Sequence, residues 1–221
     1  MKCLVMVNGF YGQLNGYKER IKKADSLWCV DGGANYAYQM QIVPDIIVGD
    51  MDSILPRVYD HYKALGVDFR QYPRKKDYTD TQLAISLISE TGFDDITFLG
   101  SLGNRLDHTL ANIYCGMEFC EKGGKIEHYN PDYSVFLVKD QLTLQGNIGD
   151  LVSVLALTEK ATGVFEAGFE YPLENAVLYK KNPYAVSNVM QYKEASISIK
   201  EGIILIFHYR LGNGGKNYRF L

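Results

Sequence analysis

Two carboxylates stand two residues apart in Gly49-Asp50-Met51-Asp52-Ser53, directly after an apolar run. Such a pair repels itself unless a cation sits against it. Mg²⁺, which takes a few carboxylates together with water and phosphate oxygens, is the usual answer. Further acids fall in similar places. Asp31-Gly32-Gly33-Ala34-Asn35 follows another apolar run, and Lys76-Asp77-Tyr78-Thr79-Asp80 opens a helical pattern. Gly100-Ser101-Leu102-Gly103-Asn104-Arg105-Leu106-Asp107-His108 opens another. Taken singly, each has a structural explanation as a turn or a helix cap. As a set of five acids, Asp31, Asp50, Asp52, Asp77 and Asp80 point to a metal and a polyphosphate. Gly32-Gly33 and Gly100 with Gly103 would let backbone N–H groups approach phosphate, and the following helix N-termini favour anions. Arg105 could add a bidentate contact.

Other chemistries lack their residues. Neither G-x-G-x-x-G nor G-x-x-x-x-G-K-[ST] occurs, and Gly212-Asn213-Gly214-Gly215-Lys216 lacks the following Ser or Thr and reads as a tail. His61, His108, His128 and His208 are scattered, and no G-x-S-x-G elbow is present. Only His108 lies beside the candidate site, where a structural or substrate-positioning role fits better than catalysis. A dinucleotide dehydrogenase, a P-loop kinase and a triad hydrolase are all disfavoured.

The elements that must position these residues change character along the chain. Apolar runs at 3–7, 27–30, 45–48 and 96–99 read as buried strands, each followed by Gly, Asp or Asn and then a helix-like stretch. The clearest helix spans about 79–89, with Thr79 and Gln82 forming a capping box. A second spans 106–122, with Leu110, Ile113, Tyr114 and Met117 at helical spacing. Continuous hydrophobic strands alternating with helices predict a parallel sheet covered on both faces. In such a sheet the acid-bearing segments gather on the rim at the strands' carboxyl ends. Beyond about residue 130 the runs at 134–138, 142–144, 151–155, 196–199 and 203–209 are strand-like and separated by turn residues. The expectation is an α/β domain over 1–130 followed by an all-β domain over 131–221.

Composition narrows the partners. Lys plus Arg number 23 against 26 Asp plus Glu, a net charge of −3, so no positive surface is available to grip nucleic acid. The single basic cluster, Arg74-Lys75-Lys76, runs straight into acids. Cys3, Cys29, Cys115 and Cys120 show no zinc spacing and read as free thiols in a reducing compartment. The N-terminal apolar run breaks at Asn8-Gly9, too short for a signal-peptide core, and no stretch approaches a membrane span. The expected location is the cytoplasm.

Asp31-Gly-Gly-Ala-Asn35, Gly49-Asp-Met-Asp-Ser53, Asp77-x-Thr79-Asp80 and Gly103-Asn-Arg-Leu-Asp-His108 together resemble the successive motifs of thiamin pyrophosphokinases. Thr162-Gly163, Tyr171-Pro172-Leu173 and Ser187-Asn188 extend the likeness through the β half. The resemblance implies an N-terminal domain binding ATP with Mg²⁺, a C-terminal β-sandwich, and a homodimer holding thiamin at the subunit interface. It implies Asp50, Asp52, Asp77 and Asp80 in catalysis, with Asp50, Asp52 and Asp80 on the metal. Asp31, Gly32, Gly33, Asn35, Thr81, Gly103, Arg105, Asp107 and His108 would line the nucleotide and its phosphates. Ser187 and Asn188 would touch thiamin, the Asn188 amide reading its aminopyrimidine edge. The implied reaction moves the diphosphoryl group of ATP to thiamin, giving thiamin diphosphate and AMP. A diphosphokinase acting on another alcohol, such as a hydroxymethylpterin, or a non-catalytic nucleotide-binding protein, are the alternatives. One feature departs from the pattern: some relatives carry a tryptophan in the last strand region, whereas 203–207 has none and the only tryptophan is Trp28.

Overall fold

The computed structural model describes residues 1–74, 77–103 and 105–211; Lys75, Lys76, Asn104 and the 212–216 glycine-rich stretch lie outside the described residues. Two units are present, Met1–Pro131 and Asp132–Leu221.

In the first unit, six strands form a parallel sheet. They are β1 (Lys2–Met6), β2 (Ser26–Val30), β3 (Ile46–Gly49), β4 (Asp68–Gln71), β5 (Asp95–Leu99) and β6 (Lys125–Tyr129). Their spatial order is β6-β5-β1-β2-β3-β4, and every pairing is parallel. The interleaved helices are α1 (Lys18–Ile21), α2 (Gly33–Gln39), α3 (Pro56–Ala64), α4 (Asp80–Glu90), α5 (Leu106–Cys115) and α6 (Met117–Glu121). Leu4, Met6, Cys29 and Ile47 pack with Ala34 and Ala37 of α2 and Val58 and Tyr62 of α3 in one buried cluster. Alternation along each strand sends Cys3, Val5, Trp28 and Val48 to the opposite face, also buried. There α4 lies against β2 and β3 and buries Leu83, Ala84 and Ile88. Both faces are covered, which is why these strands read as unbroken apolar runs.

After β4 the chain crosses back to place β5 on the far side of β1. Strand order therefore reverses between β1 and β5, and the connections leaving their carboxyl ends diverge to open a crevice. Tyr11, buried under that point, sets its hydroxyl 2.9 Å from both the Val7 and the Leu99 carbonyl oxygens and braces the two strands together.

The capping box expected at the start of α4 is present: Thr79 Oγ1 accepts from the Gln82 amide, and Gln82 Oε1 accepts from the Thr79 amide. The expected 106–122 helix is broken. Gly116 ends α5 and starts α6. Strands β4 and β6 were not legible. The first is an edge strand of mostly polar residues, and the second carries buried Glu127 and His128 among its apolar positions.

The second unit is built from β7 (Tyr133–Val138), β8 (Gln141–Gln145), β9 (Leu151–Ala156), β10 (Lys160–Ala167), β11 (Leu173–Tyr179), β12 (Asn188–Val189), β13 (Glu194–Ser198) and β14 (Ile204–Tyr209). Antiparallel sheets β12-β9-β14-β7 and β11-β10-β13-β8 face one another. Val152, Val154 and Ile206 from the first share one core with Val164, Leu178 and Ile197 from the second. This is the sandwich geometry, with each strand turning alternate residues inward. Strands β10 and β11 escaped the sequence reading because register shifts interrupt their pairing and their residues do not alternate cleanly: β10 buries Glu166 and exposes Phe165, and β11 exposes Val177 and Tyr179.

Candidate active site

The crevice between β1 and β5 opens into a cavity of about 740 Å³. The ends of three parallel strands line it: Val7 to Phe10 after β1, Val30 and Asp31 after β2, and Gly100 and Ser101 after β5. Asp80 and Thr81 of α4, and Arg105, Asp107, His108 and Asn112 from the α5 region, close its walls. Both helices point their N-termini at this space, where unsatisfied backbone N–H groups favour an anionic ligand.

Close backbone packing sets the walls. A Cβ on Gly9 would lie 1.8 Å from the Gly100 carbonyl oxygen, and one on Gly33 would lie 2.0 Å from the Met6 carbonyl oxygen. Gly33 therefore lets α2 start directly against β1. A Cβ on Gly32 would meet the Asn8 side chain at 2.5 Å. Neither glycine is among the residues lining the cavity, and both pack tightly against β1 and the segment that follows it.

The acids converge as follows. Asp31 has φ 50° and Met51 has φ 70°, left-handed conformations that cost energy in residues with side chains. Asp31 Oδ1 accepts from the Met51 amide at 2.9 Å, which folds the loop after β3 back over the end of β2. Asn35 secures the same loop by donating to the Ser53 carbonyl at 2.9 Å and accepting from the Leu55 amide at 3.0 Å. Both ends of its amide are engaged there, so Asn35 is a brace for the acidic loop and does not line the cavity.

Among the described residues, Asp31, Asp50 and Asp52 each place a carboxylate oxygen within 4.8 Å of the other two. Burial, then the charges of Asp50 and Asp80, push the Asp31 carboxyl up to about 7. A partly desolvated, all-oxygen set of three carboxylates, crowded enough to raise one of them, fits a hard divalent cation such as Mg²⁺. Asp31, not Asp80, completes this close trio; Asp80, at the start of α4, lines the cavity beside it, near enough for its charge to act on Asp31. Asp77 is exposed and lies outside the cavity lining. Arg74 sets its Nε 3.5 Å from Asp52.

Across the cavity, Arg105 and Asp107 form a two-pronged pair at 2.5 and 3.2 Å. The pairing holds the Asp107 carboxyl below its usual range and raises the guanidinium. Gly103 donates its amide to the Thr109 hydroxyl, and Thr81 donates to Asn112. The sequence reading passed over the segment from Val7 to Phe10, Thr109 and Asn112. For the first, a signal was available: Asn8-Gly9 after a buried strand follows the same pattern as Asp31-Gly32, at the strand nearest the reversal in order.

This chain matches the family model for the thiamin pyrophosphokinase catalytic domain over residues 17–128. It also matches the model for the thiamin pyrophosphokinase vitamin B1 binding domain over 140–204. The chain belongs to the thiamin pyrophosphokinase family. It is 26% identical over 204 residues to thiamine pyrophosphokinase of Bacillus subtilis, covering 87% of this chain and 90% of that one. Thiamine pyrophosphokinase 1 of Oryza sativa is 26% identical over 202 residues, covering 80% and 76%. The crystal structure of the Bacillus subtilis protein shares the fold at a TM-score of 0.83 and 21% identity, over 95% of this chain and 99% of that one. The Candida albicans enzyme does so at 0.78 and 18%, over 94% and 88%.

For this family member, the second unit gives Ser187 and Asn188 different settings. Ser187 is exposed, at φ 59°, with its amide donating to Ser153 Oγ. Asn188 is buried and fully engaged. Its Nδ2 donates to Glu166 and to the Tyr171 carbonyl, and its Oδ1 accepts from the Tyr171 and Val189 amides. No part of that amide is left to read a ligand edge, contrary to the sequence expectation; it pins the turn at Tyr171 instead. Trp28 is buried in β2 with Arg70 over its ring, so it is not a stand-in for a C-terminal tryptophan.

Proposed function

We propose that this chain transfers the diphosphoryl group of ATP to the hydroxyethyl oxygen of thiamin, giving thiamin diphosphate and AMP. The observation that carries the reading is the acidic trio of Asp31, Asp50 and Asp52, which meets through Asp31 a cavity on the strand-order switch point, in a chain matching both domain models of the family. The thiamin oxygen bonds to the β-phosphorus of ATP, the bridge to the α-phosphorus breaks, and AMP leaves with the bridging oxygen. Such a transfer depends on alignment and charge neutralisation more than on covalent help from the protein.

Asp31, Asp50 and Asp52 would hold Mg²⁺, which when bound supplies charge neutralisation on the phosphate oxygens. Asp80 flanks the trio and reinforces its field. Arg105 offers a guanidinium to a phosphate oxygen while Asp107 keeps it oriented. The N-termini of α4 and α5 add fixed partial positive charge. Gly9 and Gly33 let the backbone close the walls, and His108 orients the ligand. Thiamin binding belongs to the second unit, with Ser187 at an exposed turn, and a homodimer with thiamin between subunits completes the reading. The cytoplasm suits it, since all four cysteines are free thiols; no helix of the described residues is long and apolar enough to cross a membrane.

The test is the identity of the nucleotide product. Protein incubated with Mg²⁺, ATP and thiamin should release AMP, with little ADP, only when thiamin is present. ADP as the main product would mean ordinary γ-phosphoryl transfer and would overturn the assignment.

A further inference from the structure

Behind the cavity wall lies a polar network that the proposed chemistry does not use. Ser101, at the end of β5, lines the cavity although it is only 3% exposed, and its hydroxyl lies 2.8 Å from Nδ1 of His128. His128 on β6 is fully buried and stacked on Phe98, ring centres 5.3 Å apart. Burial drives its pKa down to about 3, so the imidazole is neutral. Its Nε2 has no hydrogen-bond partner among the described residues. A buried polar nitrogen without a partner is costly and needs a compensating use.

The tautomer of His128 decides whether the Ser101 hydroxyl donates to it or accepts from it. Among buried backbone groups, unpaired N–H groups are rarer than under-filled acceptors. With the imidazole proton on Nδ1, that nitrogen donates to Ser101 Oγ and only a lone pair is left unfilled at Nε2. The Ser101 hydroxyl hydrogen is then left over as a donor. Among the described residues Ser101 Oγ has no hydrogen-bond partner other than His128 Nδ1, while the Ser101 carbonyl accepts from Asn112 Nδ2 at 3.0 Å.

Sheet order says which part of a ligand that donor meets. β5 is two strands from β2 and three from β3. At about 4.8 Å per strand, Ser101 lies roughly 10–14 Å along the rim from the acidic trio. A nucleotide with its transferred phosphates at the acids would bring its sugar or base to Ser101. We propose that Ser101 donates its hydroxyl hydrogen to an acceptor atom on the nucleoside end of ATP, and that buried His128 is the positioning residue that keeps it in that role. This rests on the reading of the cavity as an ATP site.

The probe is α,β-methylene-ATP, which cannot break at the bond cleaved in diphosphoryl transfer, titrated into the intact protein with Mg²⁺. Ser101→Ala should bind it about tenfold more weakly. The same variant should raise KM for ATP by a similar factor, with kcat within about threefold and KM for thiamin unchanged. His128→Leu, which removes the partner of the hydroxyl, should reproduce that loss. His128→Asn, whose amide can occupy the Nδ1 position, should restore most of it. A merely structural histidine would lower the melting temperature without separating KM from kcat or leucine from asparagine. ¹⁵N NMR should show His128 protonated at Nδ1, with that resonance moving on analogue binding in the wild type and not in Ser101→Ala. Unchanged analogue affinity in Ser101→Ala, or an Nε2-protonated imidazole, would overturn the proposal. Should His128→Leu fail to fold, the asparagine variant and the tautomer measurement decide. Wild-type protein that binds the analogue but makes no AMP would sink the diphosphokinase assignment and leave the Ser101 contact standing; no binding at all would sink both.

Discussion

A carboxylate held at φ 50° beside two others gains little from the fold by itself, since backbone strain and mutual repulsion both count against it. Asp31 is in that position, and its carboxyl is raised to about 7, first by burial and then by Asp50, Asp80 and Asp52. Proton and cation therefore compete for the trio. With a group titrating near 7, the deprotonated fraction changes about tenfold between pH 6 and pH 8. Mg²⁺ or Mn²⁺ affinity should be roughly tenfold weaker at pH 6, and titration calorimetry at the two pH values checks it. An affinity that does not vary with pH would place the cation elsewhere. Asp50→Asn and Asp52→Asn should each lower turnover about a hundredfold or more, because charge neutralisation on the phosphates is worth several kcal/mol. Their melting temperatures without divalent cation should equal or exceed the wild type's, since each removes one of several repelling charges. Near-normal turnover in both would take the pair out of the site.

At the scale of elements, the site exists because helices start hard against strand ends. The start of α2 leaves no room for a methyl group, since a Cβ on Gly33 would lie 2.0 Å from the Met6 carbonyl oxygen. Gly33→Ala should therefore destabilise the protein by about 1–3 kcal/mol or more, as overpacking does, with a backbone obstacle that no rotamer change can relieve. Urea unfolding of the variant checks this, and a wild-type midpoint would show that the β1–α2 contact is looser than drawn. The strands β1, β2, β3 and β5 and the cap of α4 were readable because their signals are local: a buried run, a turn, a Ser/Thr-x-x-Gln-type box. The break at Gly116 was not, since the apolar spacing of α5 continues into α6 across it.

For the molecule as a whole, groups that lost water on folding set how stability follows pH. Glu166 is 3% exposed, its Oε1 has no partner among the described residues, and burial raises it to about 7. Its folded-state pKa lies above its usual value of 4.5, so the native state holds the proton more tightly than the unfolded chain. Stability from this group is present below about pH 4.5 and declines as pH rises through 7. The shift corresponds to roughly 3 kcal/mol at most. His128 acts in the opposite sense, since an imidazole held neutral to about pH 3 loses stability as pH falls below 6.5. Glu166→Gln should keep an acceptor for Asn188 while removing the buried charge. Its urea midpoint should rise at pH 8 relative to wild type and differ little at pH 4.5. Equal shifts at both pH values would mean that Glu166 is not the titrating group.

The sequence by itself determined the class of each half and the family, and it marked a set of candidate acids, because buried strands, turn residues and paired carboxylates leave marks within a few neighbouring positions. It could not determine which acids meet. Asp31 joins Asp50 and Asp52 because β2 lies beside β3 and a left-handed Asp31 ties the Met51 amide, a contact across 20 residues. Asn35 and Asn188 carry the same functional groups wherever they lie. Only the tertiary structure shows their amides already spent on Ser53 and Leu55, and on Glu166, Tyr171 and Val189. The cavity depends on the return of β5 to the far side of β1, and Ser101 gained its buried histidine partner only because β6 then lies next to β5. Residue type sets what a side chain is able to bond; long-range strand order sets which of those bonds are still free.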